Sequence, residues 1–267
     1  MLFTKLTSCN LNMGIINKLF GKKFEAKNNY KLFCGELPET LNVNVAYNKY
    51  GAYCMPVSSQ HRTLNQKILK GEVFEPDTIQ YIIDNAKEGD IVHAGTFFGD
   101  FLPAISRGLS DKGKIWAFEP NPESYRCSQI TIILNDIQNV SLFNAGLGDT
   151  ESRINLITKD KTGVSLGGSS RLGVQDKEVE NTELIDILTI DKSVPKDRFI
   201  SIIQLDVEGF EKQALMGALE TIKRYRPILI LEDDHGFTKS DWFRDNILSI
   251  NYKIDRKLHY NRVILPF

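Results

Sequence analysis

Two carboxylates two residues apart, Asp206 and Glu208 in "QLDVEGFE", close one apolar run, and Glu232 closes the next in "LEDDH", followed by Asp233, Asp234 and His235. Side chains at the ends of neighbouring buried runs reach the same mouth. There they can take a proton from an acceptor hydroxyl, hold a hard divalent cation through oxygen, or cap the helix that follows. A neutral histidine suits proton acceptance near pH 7, whereas an ordinary carboxylate needs a raised pKa. His235 is therefore the first candidate for a general base, with Asp206, Glu208 and Glu232 as the other catalytic candidates. The plain alternative for His235 is a solvated loop residue, and the choice between proton and metal chemistry stays open.

Upstream, "HAGTFFGDF" at residues 93–101 places Gly95 and Gly99 four apart, between a strand-like and a helix-like run. Such a turn lets the backbone approach a ligand, or simply turns tightly. Glu119 ends "IWAFE" 24 residues after Gly95, close to the spacing at which an acid meets a ribose in nucleotide-binding α/β sheets. A carboxylate can accept both hydrogen bonds of a cis-diol. The dinucleotide fingerprint needs a second glycine where Phe97 stands, and a pyrophosphate cannot approach a phenylalanine as closely. A nucleoside without a phosphate, such as S-adenosylmethionine, removes that demand. Its aminocarboxylate would lie near the glycine turn, its ribose by Glu119, and its adenine by Asn144 and Ala145 at the end of the third strand.

These groups need elements to hold them. The strongest periodic signals begin near residue 76, which sets a boundary near residue 70. Before it, "VNVAYNKYGAYCMPV" alternates around Gly51 and predicts a hairpin, and "HRTLNQKILKG" a short helix, together a cap or accessory segment over 1–70. Tyr47, Tyr50 and Tyr53 with His61 and Arg62 can either contact a sugar or pack the hairpin on the domain.

From residue 71 to 267 the chain alternates. "PDTIQYIIDNAKEG", "FLPAISRGL", "NPESYRCSQITIILN" and "FEKQALMGALETIKRY" read as helices, the third with Asn121 as N-cap, Pro122 first, and Tyr125, Ile130, Ile133 and Leu134 inward. "DIVHAG", "KIWAFEP", "VSLFNAGLG", "ISIIQLD" and "PILILE" read as buried strands, and "INYKID" with "YNRVILPF" as a terminal pair. Between the third and fourth strands, "SRINLI" and "ELIDILTI" are extra strands around "TGVSLGGSSRLG", a flexible connection or a mobile lid. The expected fold is α/β, a doubly wound, mostly parallel sheet with an antiparallel C-terminal hairpin and a small N-terminal extension.

Lys plus Arg number 33 against 34 Asp plus Glu, a formal charge of -1, so the chain carries no strong field for nucleic acid or anionic lipid. No apolar stretch reaches the roughly 20 residues of a membrane span, and the N-terminus shows no secretory pattern. Cys9, Cys34, Cys54 and Cys127 form no CxxC pair or metal spacing and read as reduced thiols, which fits a cytoplasmic protein. The oligomeric state is left open, a homodimer included.

In order and spacing, "GDIVHAGTFFGDF", "IWAFEPNPESY", "LFNAGLGD", "IIQLDVEGFEKQALMGA" and "RPILILEDDH" together resemble the FkbM family of methyltransferases. The resemblance covers roughly residues 75 to 235. It implies the class I methyltransferase fold, which is Rossmann-like, and transfer of methyl from S-adenosylmethionine, leaving S-adenosylhomocysteine, to a hydroxyl of a sugar, glycan or secondary metabolite. It implies cofactor binding by His93, Gly95, Thr96, Phe97, Gly99 and Asp100 in the turn, by Glu119 and Pro120, by Asn144 and Ala145, and by Asp206. Asp206 and Glu208 would also face the transferred methyl or the acceptor. Four positions depart from the family pattern: His93 and Ala94 stand where Asp and Val or Ile are usual, Phe97 replaces Asn, and Gln204 replaces Lys. The rival reading is a catalytically idle nucleoside-binding or interaction module of the same fold.

Overall fold

Alternation around Gly51 produces the hairpin it predicts: β1 (Val43–Asn48) pairs antiparallel with β2 (Gly51–Pro56). A computed structural model describes residues 40–172, 182–233 and 236–267, so the first 39 residues and the histidine at 235 lie outside it. The hairpin leads into α1 (Thr63–Leu69) and α2 (Pro76–Asn85), the latter with Pro76 in the first turn, where its missing N–H costs nothing. β3 (Asp90–Ala94), α3 (Leu102–Gly108), β4 (Ile115–Phe118), α4 (Pro122–Leu134) and β5 (Val140–Phe143) follow. Asn121 caps α4, its side chain accepting from the Glu123 and Ser124 amides at 3.0 and 3.2 Å.

The apolar run after α4 does not form one strand. β5 ends at Phe143, and β6 (Ala145–Leu147) joins a second sheet with β7 (Ser152–Ile157), β8 (Arg171–Leu172) and β9 (Thr182–Leu188), in the order β6-β9-β7-β8. Asn144 makes the break, because its side-chain amide donates to the Glu119 and Pro120 carbonyls and draws the chain out of line. After α5 (Ile190–Ser193) comes β10 (Ile200–Leu205). The long helix expected next is two, α6 (Glu211–Met216) and α7 (Leu219–Tyr225). Gly217 sits at the break, where an added Cβ would stand 2.0 Å from the Gly148 carbonyl oxygen. β11 (Ile228–Glu232), α8 (Asp241–Asn246), β12 (Tyr252–Leu258) and β13 (Asn261–Pro266) complete the chain.

The central sheet runs β5-β4-β3-β10-β11-β13-β12, its first five strands parallel and β13 antiparallel to both its neighbours. This is the doubly wound sheet with a C-terminal hairpin. Period-two alternation sends Val92, Ala94, Phe118 and Leu205 into one core, and Ile91, Ala117, Ile202 and Ile230 into another, which is why the strands read as continuously apolar. Each such fully buried Val, Leu, Ile or Phe stabilises the fold by about 1.5–3 kcal/mol. Helix α4 is rotated from expectation: Tyr125, Cys127, Ser128, Thr131 and Ile132 are buried, whereas Ile133 is 59% exposed. Its inner face meets the backbone of β2, where Thr131 Oγ1 accepts from the Cys54 amide at 3.0 Å, a bond that isoleucine could not make. No helix among the described residues is long and apolar enough to cross a membrane. Strand order reverses between β3 and β10, and the crevice at that reversal is where such sheets bind ligands.

Candidate active site at the switch point

Gly95 is a glycine because two strand ends touch there. It takes φ +81°, and an added Cβ would stand 1.9 Å from the Asp206 carbonyl oxygen. The Asp206 amide in turn donates to the Ala94 carbonyl at 3.1 Å. Gly99 serves packing instead: its Cβ would lie 2.9 Å from Ser128 Oγ on α4. Between them Phe97 adopts φ +51°, uncommon for a bulky residue. Its amide donates to Glu119 Oε2 at 2.7 Å, and its buried ring packs on Phe98, in a cluster with Tyr53, Cys54 and Cys127.

Glu119 is held at both oxygens, since Oε1 accepts from the Asn121 amide at 2.8 Å. Burial pushes its carboxyl up to about 8, against the pull of those two N–H donors. Each oxygen keeps a second lone pair, and Glu119 lines a cleft of about 470 Å³, open mouth included. Gly95, Pro120, Ala145 and Asp206 line it too, with Glu208 on its wall. His93, Thr96, Phe97, Gly99, Asp100 and Asn144 are not among its lining residues. Thr96 Oγ1 donates to the His93 carbonyl at 3.2 Å. Asp100 is buried, which together with the Glu75 charge pushes it up to about 7.

His93 faces Gln204 across the β3–β10 register, and its Nδ1 bonds the Gln204 amide oxygen. The ring stacks on Phe101 with centroids 5.5 Å apart, and burial drives its pKa down to about 4. Two positions flagged as separate departures in sequence are thus one neutral pair beneath the glycine turn.

At the mouth Asp206, Glu208 and Glu232 each place a carboxylate oxygen within 4.8 Å of the others. Burial first, then the charge and hydrogen bond of Glu232, hold Asp206 well above the usual carboxylate range. The pair therefore holds a proton to higher pH than an isolated carboxylate does, as close like-charged acids must. Glu211 fixes the intervening loop by accepting from the Val207 and Gly209 amides at 3.2 and 3.3 Å. Asp233 turns elsewhere, to Thr238 and, at 3.6 Å, to Arg262. Asp234 and His235 lie outside the described residues.

Sequence reasoning missed the contribution of the second sheet and of the loop between β7 and β8. Leu156, Gly168 and Ser170 line the cleft, as does Phe210 at the start of α6. The glycine–serine run was visible, but only the fold shows which wall it forms.

Among curated proteins none matches the sequence significantly. A crystal structure of methyltransferase FkbM from Methylobacillus flagellatus KT is 20% identical, with a TM-score of 0.47, covering 67% of this chain and 43% of its own. The chain thus spans less than half the length of that relative. TYW2 of M. jannaschii in complex with AdoMet is 11% identical, with a TM-score of 0.43 and 86% of each chain covered. The Pyrococcus abyssi tRNA (uracil-54, C5)-methyltransferase in complex with S-adenosyl-L-homocysteine is 7% identical, with a TM-score of 0.43, covering 84% of this chain and 44% of its own. The model of the methyltransferase FkbM domain matches residues 90–259, well over half of the sequence, and includes the glycine turn, Glu119, the acids at the mouth and the strands that carry them; the chain belongs to the FkbM methyltransferase family.

Proposed function

We propose that the chain is an S-adenosylmethionine-dependent O-methyltransferase acting on a hydroxyl of a small molecule or carbohydrate, such as a sugar, glycan or secondary metabolite. The observation that carries this reading is Glu119: a buried carboxyl, fixed at both oxygens by backbone amides, with lone pairs left for a ribose diol at the wall of a cleft beside the switch point. The donor set fits a cationic nucleoside. Glu119, Asp206 and Glu208 line the cleft, and among the described residues no lysine or arginine does. That composition, which puts no fixed positive charge in the cleft, suits a sulfonium better than a pyrophosphate or a nucleic-acid backbone.

Bound there, the cofactor supplies an electrophilic methyl on a positively charged sulfur. Asp206 and Glu232 supply the base. Asp206 in its ionised form is the stronger base of the two, since burial and the neighbouring Glu232 raise its pKa, and this suits it to take the hydroxyl proton. The chain's own part would be to hold the acceptor hydroxyl at the mouth and to take its proton on that carboxylate as the methyl is transferred. The buried thiols Cys54 and Cys127 support a reducing, cytoplasmic setting. Calorimetry with S-adenosylhomocysteine, then mass spectrometry of free and nucleotide-linked sugars incubated with S-adenosylmethionine, tests the reading. Absence of binding heat overturns it, and binding without a methylated product in any acceptor class favours the idle module.

A further inference from the structure

We infer that the turn Gly167–Ser170 is the outer wall of the cofactor pocket, that Gly168 keeps this wall clear for the nucleoside, and that Arg62 is the positioning residue that holds it. The inference rests on the cofactor reading above and adds a specificity element to the same site.

Gly168 and Ser170 line the cleft together with Glu119, Pro120 and Ala145. The turn is pinned from two sides. Arg62, at the head of α1, donates to Ser169 Oγ. Asn121 Nδ2 donates to Ser170 Oγ at 3.0 Å, and that hydroxyl donates to the Gly167 carbonyl at 2.7 Å. Asn121 is also the residue whose amide holds Glu119 Oε1, so the wall and the ribose acid share one anchor. Arg62 lies before residue 90, outside the stretch the family model matches. The N-terminal segment thereby braces a wall that the matched domain supplies.

The two glycines of the turn differ in what demands them. Gly167 takes φ +55°, and an added Cβ would stand 2.7 Å from Ser59 Cβ, so the fold itself requires it. Gly168 has no left-handed backbone, and its Cβ would rest on the Phe97 ring at 3.5 Å, an ordinary contact. An alanine there would satisfy both backbone and packing. The first carbon at 168 would cover the Phe97 ring beside the cleft, so it is a side chain longer than alanine that would reach the cleft itself.

The test is calorimetric binding of S-adenosylhomocysteine to the full chain, with thermal unfolding of every variant. Arg62→Ala is expected to weaken binding about tenfold, the scale of one lost charge-assisted hydrogen bond, with Tm lowered by no more than about 4 °C. Arg62→Lys, which retains a donor, is expected to recover part of that loss. Gly168→Ala should bind within about threefold of wild type and Gly168→Leu at least about thirtyfold more weakly, at unchanged Tm, since only the longer chain enters the ligand's space. Wild-type affinity in both Arg62→Ala and Gly168→Leu overturns the inference while leaving the cofactor reading intact. Loss of binding by Gly168→Leu together with a fall in Tm places the new side chain against Phe97 and overturns the role given to Gly168. A wild-type protein that gives no binding heat overturns the cofactor reading and this inference with it.

Discussion

Replacing Gly95 by alanine should damage the protein in two separable ways, and Gly209 separates them. Both residues have left-handed backbones, φ +81° and +92°. An added Cβ at Gly209 meets nothing within 4 Å, so Gly209→Ala carries only the backbone penalty, about 1 kcal/mol. At Gly95 the Cβ falls 1.9 Å from the Asp206 carbonyl oxygen, about 1.5 Å inside ordinary contact. That oxygen belongs to backbone tied to Ala94 by a 3.1 Å hydrogen bond, so relief means prising β3 and β10 apart at their ends. Overpacking of this kind adds about 2 kcal/mol, for a total near 3. At about 3 °C per kcal/mol for a domain of this size, Gly209→Ala should lower Tm by roughly 3 °C and Gly95→Ala by roughly 9 °C. Scanning calorimetry on the two purified variants reads this directly. Displacing Asp206 by an ångström should also cut methyl transfer about a hundredfold in Gly95→Ala. Equal Tm losses in the two variants would refute the claimed contact between the strand ends.

Glu119→Gln puts an amide donor against the amide of Phe97 or Asn121, and should weaken S-adenosylhomocysteine at least tenfold by calorimetry, about the loss of one good hydrogen bond. Asp206→Asn should cut turnover about 10²- to 10⁴-fold while cofactor affinity stays within a few-fold, as for loss of a general base. The same variant should be more stable than wild type at pH 9 in urea melts, because it removes the repulsion with Glu232. His93, held near 4 in the fold against 6.5 unfolded, binds no proton in a window where the unfolded chain does; stability should fall as pH drops from 6.5 towards 4, and His93→Asn should flatten that limb. Glu119, near 8 folded against 4.5 unfolded, works the other way: stability should fall as pH rises from about 4.5 to 8, and urea midpoints of Glu119→Gln should lose that slope.

Strands buried on both faces write themselves into sequence, which is why β3, β4, β10 and β11 could be placed from apolar runs and their flanking turns. Local chemistry also announced the start of α4, through Asn121 and Pro122. The meeting of Gly95, Glu119, Ala145, Asp206 and Glu208 at one cleft was legible because each lies just past the end of a strand or opens the next. What stayed hidden depends on contacts distant in sequence. Nothing local says that Asn144 turns back to the Glu119 and Pro120 carbonyls and sends β6 into another sheet. Nothing local says that Gly217 ends a helix because Gly148 lies against it. The inward phase of α4 was misjudged because its partner strand asks for hydroxyls. The cover formed by Gly168 and Ser170 depends on Arg62, more than a hundred residues upstream.

The uncharged bridge between His93 and Gln204 also bears on descent. A chain with aspartate and lysine at these places, the pattern this sequence resembles, would put opposite charges in the same dry spot, and it could not pass from one version to the other by a single substitution without stranding a lone buried charge, a step that costs about 3–5 kcal/mol. The two sites should therefore have been exchanged as a unit, leaving a lineage mark in which histidine at one position foretells glutamine at the other.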